Sequence, residues 1–309
     1  MMKKLLAILF TVLLFAVSGC SETANDKEST GYQVTDSRNV TLHFAKKPQR
    51  IVSLFPSTDE VLLTLVDHRR ILALSKWSRD LNFSNVAKEA ESVPLIAENT
   101  PEFLLKNKAD LVITRPDMGQ NPAFLKSLGE MGIPVYVFKG PTSIEEVKAY
   151  ILELGNVTGD KESAQRIVQK MDAELSALEE RLNALQLSKQ KAVIWTSRGV
   201  IGGKGTITHD VLTRAHLIDV LDNYKVAPGA SMNREIIVES NPDVIIVIGF
   251  EASGNKVMDE IIKDPALQTV KAIRDRKVVL LPIRYTSCNS QYLVQGIKNL
   301  ASAVYNKNF

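Results

Sequence analysis

The chain has 309 residues, of which 45% are hydrophobic and 24% are charged, and its formal net charge is +3. This composition is ordinary for a globular protein and excludes a disordered or fibrous chain. The near-neutral charge balance gives no support for nucleic-acid binding, which a strongly basic chain would indicate. Roughly 275 residues follow the polar N-terminal region, which is enough for one large domain or two smaller lobes.

The first twenty residues have the order of a secretory signal. Lys3 and Lys4 precede an unbroken apolar run at 5–17, which is shorter than the ~20 residues that a bilayer-spanning helix needs. The run is followed by small residues ending at Cys20, and the segment VSGC resembles the lipobox of bacterial lipoproteins. That resemblance implies that Cys20 is lipidated and anchors the chain at the outer face of a membrane. An ordinary secretory signal with an accidental cysteine is the alternative.

Cysteine and histidine usage argues against a disulfide framework and against a metal receptor. The chain has two cysteines, so Cys288 has no intramolecular partner if Cys20 is lipidated, and we predict a small buried residue there. The histidines lack the close spacing of zinc-binding motifs, so we predict no metal site. They are His43, His68, His209 and His216.

Short apolar runs that alternate with helical patterns predict an α/β fold. The runs lack a strict polar–apolar alternation, which is typical of strands covered on both faces. Strands that alternate with helices indicate parallel sheets with helices on both sides. The predicted strands are 51–55, 71–75, 111–114, 135–138, 193–196, 244–248 and 278–281, and the predicted helices include 60–66, 123–131, 143–155 and 210–221.

A short pattern occurs once in each half of the chain. Glu102 stands eight residues before Asp110, and Glu235 stands eight residues before Asp243. In both copies the glutamate opens a helical pattern and the aspartate precedes a predicted strand. We interpret the repeat as a structural duplication with one copy in each lobe.

The region between the two copies predicts one long helix. Residues 160–189 carry a single apolar stripe with spacings of three and four, and ~40 Å of helix is long enough to join two lobes. A helix break is predicted at Thr158-Gly159. A coiled-coil dimer is the alternative, but fewer than three heptads are present, so we expect a monomer. The stripe consists of Val168, Met171, Leu175, Leu178, Leu182 and Leu185.

Several stretches, taken in order, resemble the periplasmic binding proteins of ABC importers for iron-siderophores, haem and cobalamin. The resemblance covers nearly all of residues 48–305 and depends on the order and spacing of stretches that are individually weak. One departure is Asp59, where members of this family usually have threonine before the glutamate. The supporting stretches are 48–57, 108–113, 132–135, 154–159 and 241–246.

The resemblance implies two parallel-sheet α/β lobes bridged by a single long α-helix, with a ligand held between the lobes. It further implies delivery of the ligand to a membrane permease and ATP hydrolysis by a separate subunit. The predicted segments are a signal peptide at 1–20, a flexible tether at 21–33, an N-terminal lobe at 34–157, a linker helix at 158–189 and a C-terminal lobe at 190–309.

Glu102 and Glu235 are the candidate permease-docking residues. Each follows a predicted helix N-cap, Thr100 or Asn233. The resemblance implies that each glutamate contacts an arginine of the permease, one from each lobe. The alternative is that an acid in the first helical turn only complements the helix dipole.

Two further motifs receive a structural interpretation. Ser57-x-x-Glu60 fits a capping box, in which both side chains satisfy free amides at a helix start. The glycine-rich segment 202–206 lacks the spacing of a phosphate-binding loop, so we predict a flexible loop at the border of the cleft.

Four arginines and two aromatic residues follow predicted strands. Because ligands bind beyond the carboxyl ends of parallel strands, we expect these side chains to line the cleft. Guanidinium groups with aromatic walls suit a large, planar, anionic ligand, which favours a ferric siderophore or haem. A corrinoid carries less negative charge and is the alternative ligand; solvated surface arginines are the alternative interpretation. The predicted ligand-binding residues are Trp77, Arg79, Arg115, Arg198, Arg284 and Tyr285.

No catalytic residue is predicted, because the sequence lacks a nucleophile with a base or paired carboxylates in a local motif. We therefore expect a binding protein without a cofactor, located outside the cytoplasm. A chelatase-like lipoprotein enzyme is the alternative of another class, with His209, Asp210 and His216 as its nearest candidate residues. A scaffold lipoprotein without ligand is a third interpretation, which the arginines after the strands disfavour.

Overall fold

A computed structural model describes residues 31–115, 122–226, 230–287 and 289–309. The predicted lipidation site Cys20, most of the tether and Cys288 lie outside the described residues. Within the described ranges, no helix is both long enough and apolar enough to cross a membrane.

The strands are β1 Tyr32–Thr35, β2 Thr41–Phe44, β3 Ile51–Ser53, β4 Ile71–Leu74, β5 Leu95–Ile96, β6 Leu111–Thr114, β7 Val135–Val137, β8 Gln190–Thr196, β9 Gly199–Ile201, β10 Leu217–Asp219, β11 Val244–Gly249 and β12 Val278–Pro282. The helices are α1 Pro56–Leu65, α2 Pro101–Lys106, α3 Pro122–Glu130, α4 Ile144–Thr158, α5 Lys161–Ala184, α6 Ile207–Arg214, α7 Glu235–Ser240, α8 Glu251–Lys263, α9 Lys271–Arg274, α10 Arg284–Ser287 and α11 Leu293–Tyr305. Short 3₁₀ helices occur at His68–Arg70, Glu89–Ser92, Val220–Asn223 and Pro265–Leu267.

Two parallel sheets form the framework of the fold. The first sheet has the strand order β5-β4-β3-β6-β7, and all of its neighbouring pairs are parallel. The second sheet has the order β10-β8-β11-β12, also parallel, and β9 adds to β8 as an antiparallel strand. The predicted α/β class with parallel sheets is confirmed. In a parallel sheet the carboxyl ends of all strands lie at one edge, and the residues that follow the strands lie there too.

Each of the repeated aspartates, Asp110 and Asp243, accepts backbone hydrogen bonds from the neighbouring strand segment of its sheet. Asp110 accepts hydrogen bonds from the backbone N–H groups of Gln49 and Arg50, both at 2.7 Å, just before β3. Asp243 accepts one from the backbone N–H of Lys191 in β8, at 2.8 Å. Each carboxylate therefore fixes the start of the strand beside its own strand, and this gives the sequence repeat a structural cause.

Helix α5 lies between the two sheets in the sequence and packs against other helices. It begins after Gly159, whose φ of 79° ends α4, so the predicted break is confirmed. Its 24 residues correspond to ~36 Å, and it contacts α1, α4 and α11. The buried stripe consists of Ala164, Ile167, Met171, Leu175, Leu178 and Leu182.

The predicted extent of α5 was partly wrong. The helix ends at Ala184, and Leu185 is 43% exposed rather than buried. Ile167 takes the buried position in the stripe, whereas Val168 is only partly buried. The stripe therefore extends one turn nearer to the N-terminus than its sequence spacing suggests.

The predicted helix at 210–221 was also wrong in its second half. Helix α6 ends at Arg214, and His216 has a φ of 62°, a left-handed conformation that cannot continue the helix. The chain then enters β10, whose residue Leu217 pairs with Gln190 of β8. Pairing with a neighbouring strand therefore decides the conformation of this segment.

Helices α4 and α5 approach each other closely at Gly155. A Cβ atom at this position would lie 2.4 Å from the Cβ of Ala164. We predict that Gly155→Ala lowers the free energy of unfolding by ~1–3 kcal/mol, because the added methyl group forces the two helices apart. Urea denaturation measures this change.

Gly129→Ala is the matched control, since Gly129 also lies in a helix but has open space where its Cβ would be. It should leave stability unchanged or raise it by about 0.5–1 kcal/mol, because alanine favours the helix. Equal effects of the two substitutions would contradict the proposed close approach.

Candidate functional site

A cavity of about 440 Å³ lies at the carboxyl edge of the first sheet. The residues that line it come directly after three neighbouring strands, β3, β4 and β5. This is the position where ligands bind in open parallel sheets. The lining residues are Leu54, Ser75, Lys76, Trp77, Ala97, Glu98 and Asn99.

A row of aromatic rings leads from this cavity towards the second sheet. The ring centroids of Trp77 and Phe83 are 4.8 Å apart, and those of Phe83 and Phe250 are 5.1 Å apart in an edge-to-face contact. Phe250 follows β11 and precedes α8, so the row joins residues from both sheets. Phe83 and Phe250 were not among the predicted site residues. Phe83 lies within the loop after β4, whereas Phe250 directly follows β11 and could have been found by the strand-end rule.

The Arg79 side chain is hydrogen-bonded to backbone carbonyls of the N-terminal half of the chain. Its guanidinium donates to the carbonyl of Val93 at 2.6 Å and to that of Ala90 at 3.4 Å. These bonds hold it against the 3₁₀ helix Glu89–Ser92 and the residue after it. Arg79 therefore has a structural role in the described structure.

Arg284 is also engaged within the protein. Its guanidinium makes two hydrogen bonds to the carboxylate of Glu251, at 2.7 and 2.9 Å, and lies 4.9 Å from the ring centroid of Tyr285. The bonds from Arg284 lower the pKa of the Glu251 carboxyl. Tyr285 packs closely on Gly296, because a Cβ atom added at Gly296 would lie 2.7 Å from the Cβ of Tyr285.

Arg115 lies among aromatic rings at the carboxyl ends of β6 and β7. Its guanidinium carbon is 4.6 Å from the ring centroid of Phe55 and 5.8 Å from that of Phe138. Gly140 allows this placement, since a Cβ there would lie 2.5 Å from an Arg115 nitrogen. By contrast, Arg198 is exposed in the turn between β8 and β9, where its backbone N–H donates to Thr196 at 3.2 Å.

Glu60 does not cap a helix, so the predicted capping box was wrong. Helix α1 begins at Pro56 with Phe55 as its N-cap, which places Glu60 in the second turn. Its buried carboxylate accepts hydrogen bonds from the backbone N–H and the side-chain amide of Asn85, at 2.7 and 2.9 Å, and from the hydroxyl of Ser290. Gln291 donates to the Glu60 carbonyl at 2.9 Å. Glu60 therefore connects α1 to the residues that precede α11.

Asp59 forms a second buried site beside Glu60. Its carboxylate accepts hydrogen bonds from the backbone N–H of Ser75 at 3.1 Å and from the Ser75 hydroxyl at 2.5 Å. Ser75 also lines the cavity, so the hydrogen bonds from Ser75 to Asp59 hold one residue of the cavity wall in place. Burial raises the pKa of Asp59 and the pKa of Glu60 to about 7.

Glu102 and Glu235 occupy equivalent exposed positions at helix starts. Glu102 is the second residue of α2, and Thr100 caps this helix by accepting a hydrogen bond from Phe103 at 3.3 Å. Glu235 is the first residue of α7.

Asn233 is not the N-cap residue of α7, because Arg234 precedes the helix. Its side chain nevertheless accepts a hydrogen bond from the backbone N–H of Glu235 at 3.2 Å and donates to the Glu235 carboxylate at 3.1 Å. The asparagine thus orients Glu235 from one residue before the N-cap.

The comparisons with known proteins agree with this geometry. The family model described as "Periplasmic binding protein" matches residues 51–285. An uncharacterized ABC transporter substrate-binding lipoprotein, YvrC of Bacillus subtilis (strain 168), is 25% identical, and the match covers 100% of this chain and 99% of that protein. A cobalamin-binding protein of Halobacterium salinarum is 20% identical over 93% of this chain and 78% of its own length. The solved periplasmic heme-binding protein RhuT from Roseiflexus sp. RS-1 has a TM-score of 0.69 and 20% identity, covering 84% of this chain and 98% of that one.

Two parallel sheets with a cavity at the strand ends define a ligand-binding α/β protein. The family match extends over most of both sheets, and the chain belongs to the periplasmic binding protein family. Its relatives include an ABC transporter substrate-binding lipoprotein and proteins named cobalamin-binding or vitamin B12-binding.

The buried acids predict an unusual pH dependence of stability. Their pKa values of about 7 in the folded protein lie above the ordinary values of 3.8 and 4.5, so the folded state holds protons that the unfolded chain releases. Stability should therefore fall as the pH rises from about 4 to about 7, and remain low above pH 7. We predict that Glu60→Gln removes up to ~3 kcal/mol of this fall, because a neutral amide needs no proton.

Urea denaturation at pH 5 and pH 8 measures this effect. Glu180→Gln is the control, since Glu180 is exposed on α5. An equal loss of stability between pH 5 and pH 8 in Glu60→Gln and in the unaltered chain would contradict the assignment.

Proposed function

We propose that this chain captures a tetrapyrrole-type metal chelate outside the cytoplasm and passes it to the permease of an ABC importer, with a corrinoid as its preferred ligand. The aromatic row Trp77–Phe83–Phe250 carries this proposal, because it extends from the cavity towards the second sheet and provides aromatic surface for contact with a large ring. The relatives are named as binding proteins, which supports a role without catalysis.

The engagement of two arginines favours a ligand with few negative charges. Arg79 is hydrogen-bonded to backbone carbonyls, and Arg284 is paired with Glu251. An anionic ligand that recruited either guanidinium would first have to break these bonds. A corrinoid needs fewer cationic partners, and relatives at 20–24% identity are named cobalamin-binding or vitamin B12-binding proteins.

Haem is the second candidate ligand. The Arg115 guanidinium lies near the rings of Phe55 and Phe138, so a cationic group stands beside aromatic surfaces at the carboxyl edge of the first sheet. That combination suits a planar ring with a carboxylate substituent. The similarity in fold to heme-binding proteins is compatible with this choice.

Membrane attachment through Cys20 completes the proposed arrangement. The lipobox-like segment precedes a polar tether, and the relative from Bacillus subtilis is named a lipoprotein. Acyl chains on Cys20 would keep the binding protein close to its permease, while the ATPase subunit acts on the other side of the membrane. The proposed binding protein acts as a monomer.

Docking on the permease is assigned to α2 and α7. Glu102 and Glu235 are exposed at the starts of these helices, one associated with each sheet. Three residues after each glutamate stands an exposed apolar side chain, Leu105 at 55% and Val238 at 43% exposure. Residues three apart lie on the same face of a helix, so each docking point combines an acid with an apolar contact. The duplication thus repeats a composite surface and not only a charge.

The ligand proposal is tested by tryptophan fluorescence of the full chain in detergent, titrated with cyanocobalamin, hemin and a ferric hydroxamate. The chain has two tryptophans, and Trp195 packs against the core of the second sheet. We predict saturable quenching by cyanocobalamin that is lost in Trp77→Phe but retained in Trp195→Phe. In Trp77→Ala the affinity, measured by isothermal calorimetry, should fall at least ~10-fold, because the ligand loses a large aromatic contact.

Quenching by hemin alone would support the second candidate ligand and reject the first. Saturable quenching that persists in Trp77→Phe and disappears in Trp195→Phe would remove the cavity at the first sheet from the proposal. No response to any of the three compounds would contradict the proposed ligand class.

The docking proposal predicts that Glu102→Ala with Glu235→Ala abolishes uptake in cells while ligand affinity stays unchanged. Leu105→Ser with Val238→Ser should reduce uptake severalfold, because the apolar part of each docking point is lost. The control is Glu130→Ala with Glu260→Ala, which removes two exposed glutamates from other helices. Normal uptake in the first double variant would disprove the assignment.

A further inference from the structure

Three side chains from α6, β10 and the 3₁₀ helix after β10 meet at the edge of the second sheet. His209 lies in the first turn of α6, Asp219 is the last residue of β10, and Asp222 lies in the 3₁₀ helix that follows. The Nδ1 atom of His209 is 2.9 Å from a carboxylate oxygen of Asp222 and 3.4 Å from one of Asp219. These three residues are the His209 cluster.

The spacing of the donor atoms matches that of ligands around one small cation. Zinc binds imidazole nitrogen and carboxylate oxygen at about 2.0–2.2 Å in tetrahedral geometry, which places neighbouring donor atoms roughly 3.3 Å apart. The potential ligand atoms of the cluster all lie within 4.8 Å of one another. Calcium, by contrast, takes six to eight oxygen ligands and makes little use of imidazole.

Hydrogen bonding within the protein leaves two of these atoms unsatisfied. Nδ1 of His209 and Oδ1 of Asp222 are both shielded from solvent, yet among the described residues neither has a hydrogen-bond partner. They are 2.9 Å apart, but they are not oriented as a donor–acceptor pair. Shielded polar atoms without hydrogen-bond partners are costly, and a cation bound to both atoms would satisfy them.

The charge of the cluster also calls for a cation. Asp219 is buried, and its carboxylate accepts hydrogen bonds from the backbone N–H groups of Gly203 at 2.7 Å and Leu221 at 2.9 Å. Asp222 adds a second carboxylate beside it, and His209 faces both. Placing a second carboxylate beside a buried one is unfavourable unless positive charge compensates for them.

We propose that His209, Asp219 and Asp222 bind a divalent transition-metal ion, for which Zn²⁺ is the best match. One imidazole and two carboxylates provide three ligands and neutralise the charge of the ion, and a water molecule supplies the fourth position. The site is separate from the cavity beside Trp77, because its residues belong to the opposite sheet.

The ion has a structural consequence for the glycine-rich segment 202–206. Asp219 holds Gly203 through a backbone hydrogen bond, and Thr206 caps α6 by accepting a hydrogen bond from the backbone N–H of His209 at 3.2 Å. A metal bound to Asp219 and His209 would therefore fasten both ends of this segment. The glycines at 202, 203 and 205 all have positive φ, so the segment depends on such restraints for a fixed shape.

The test is Zn²⁺ titration of the full chain in detergent by isothermal calorimetry, after dialysis against a chelator. We expect one Zn²⁺ per chain, with an affinity that falls at least ~10-fold in His209→Ala and in Asp222→Asn. His43→Ala is the matched control, because His43 is exposed on β2, and it should bind Zn²⁺ like the unaltered chain. Zn²⁺ should also raise the thermal midpoint of the unaltered chain but not that of the two cluster variants.

Co²⁺ provides a second readout that does not depend on His209→Ala folding correctly. Visible absorption of bound Co²⁺ should indicate tetrahedral nitrogen and oxygen ligation in the unaltered chain, and it should be weak in Asp222→Asn. Absence of Zn²⁺ binding, or binding that survives both cluster substitutions, would overturn the proposal. Neither result bears on ligand capture at the Trp77 cavity, so the two proposals fail independently.

Discussion

The hydrogen bonds of one buried carboxyl group, that of Glu60, determine how the two parts of the chain meet. The carboxyl group accepts bonds from Asn85 on one side and from Ser290 on the other. Asn85 in turn donates to the carbonyl of Arg284 at 3.0 Å, which ties the loop after β4 to the segment after β12. Phe83 lies in the same loop, so the aromatic row depends on this connection. A group that is costly to bury thus positions the candidate ligand surface.

The packing around this connection leaves little freedom for the two sheets to separate. A single hydrophobic core includes Leu62 of α1, Leu175 of α5 and Ile297 of α11, and it reaches strands of both sheets. Opening the molecule like a hinged pair of domains would expose this shared core to water. In the proposed function, ligand capture would therefore depend on side-chain adjustment at the cavity and along the aromatic row, and a permease would recognise the loaded protein by local differences.

Sequence patterns predicted the framework well and the site only in part. Strand β6 was predicted to the residue, because a buried parallel strand is a continuous β-branched run, and Gly159 marked the break before α5. The role of Glu60 was missed, because its spacing from Ser57 fits a helix cap equally well and its partners lie 25 and 230 residues away. The His209 cluster was missed because its residues lack the spacing of a metal-binding motif, and the packing of α6 against β10 brings them together. Local patterns carry local structure, whereas partners for buried polar groups are set by topology.

The long sequence separation between Glu60 and Ser290 has a consequence for biosynthesis. A nascent chain emerges from its N-terminus, so the first sheet can assemble long before Ser290 exists. Until then Asn85 serves one oxygen of the Glu60 carboxyl group, and the other oxygen must stay in water or be buried without its partner. The first half therefore lacks a finished surface before the last part of the chain is made. A chain that ends early would keep an unsatisfied polar group where its two halves should meet.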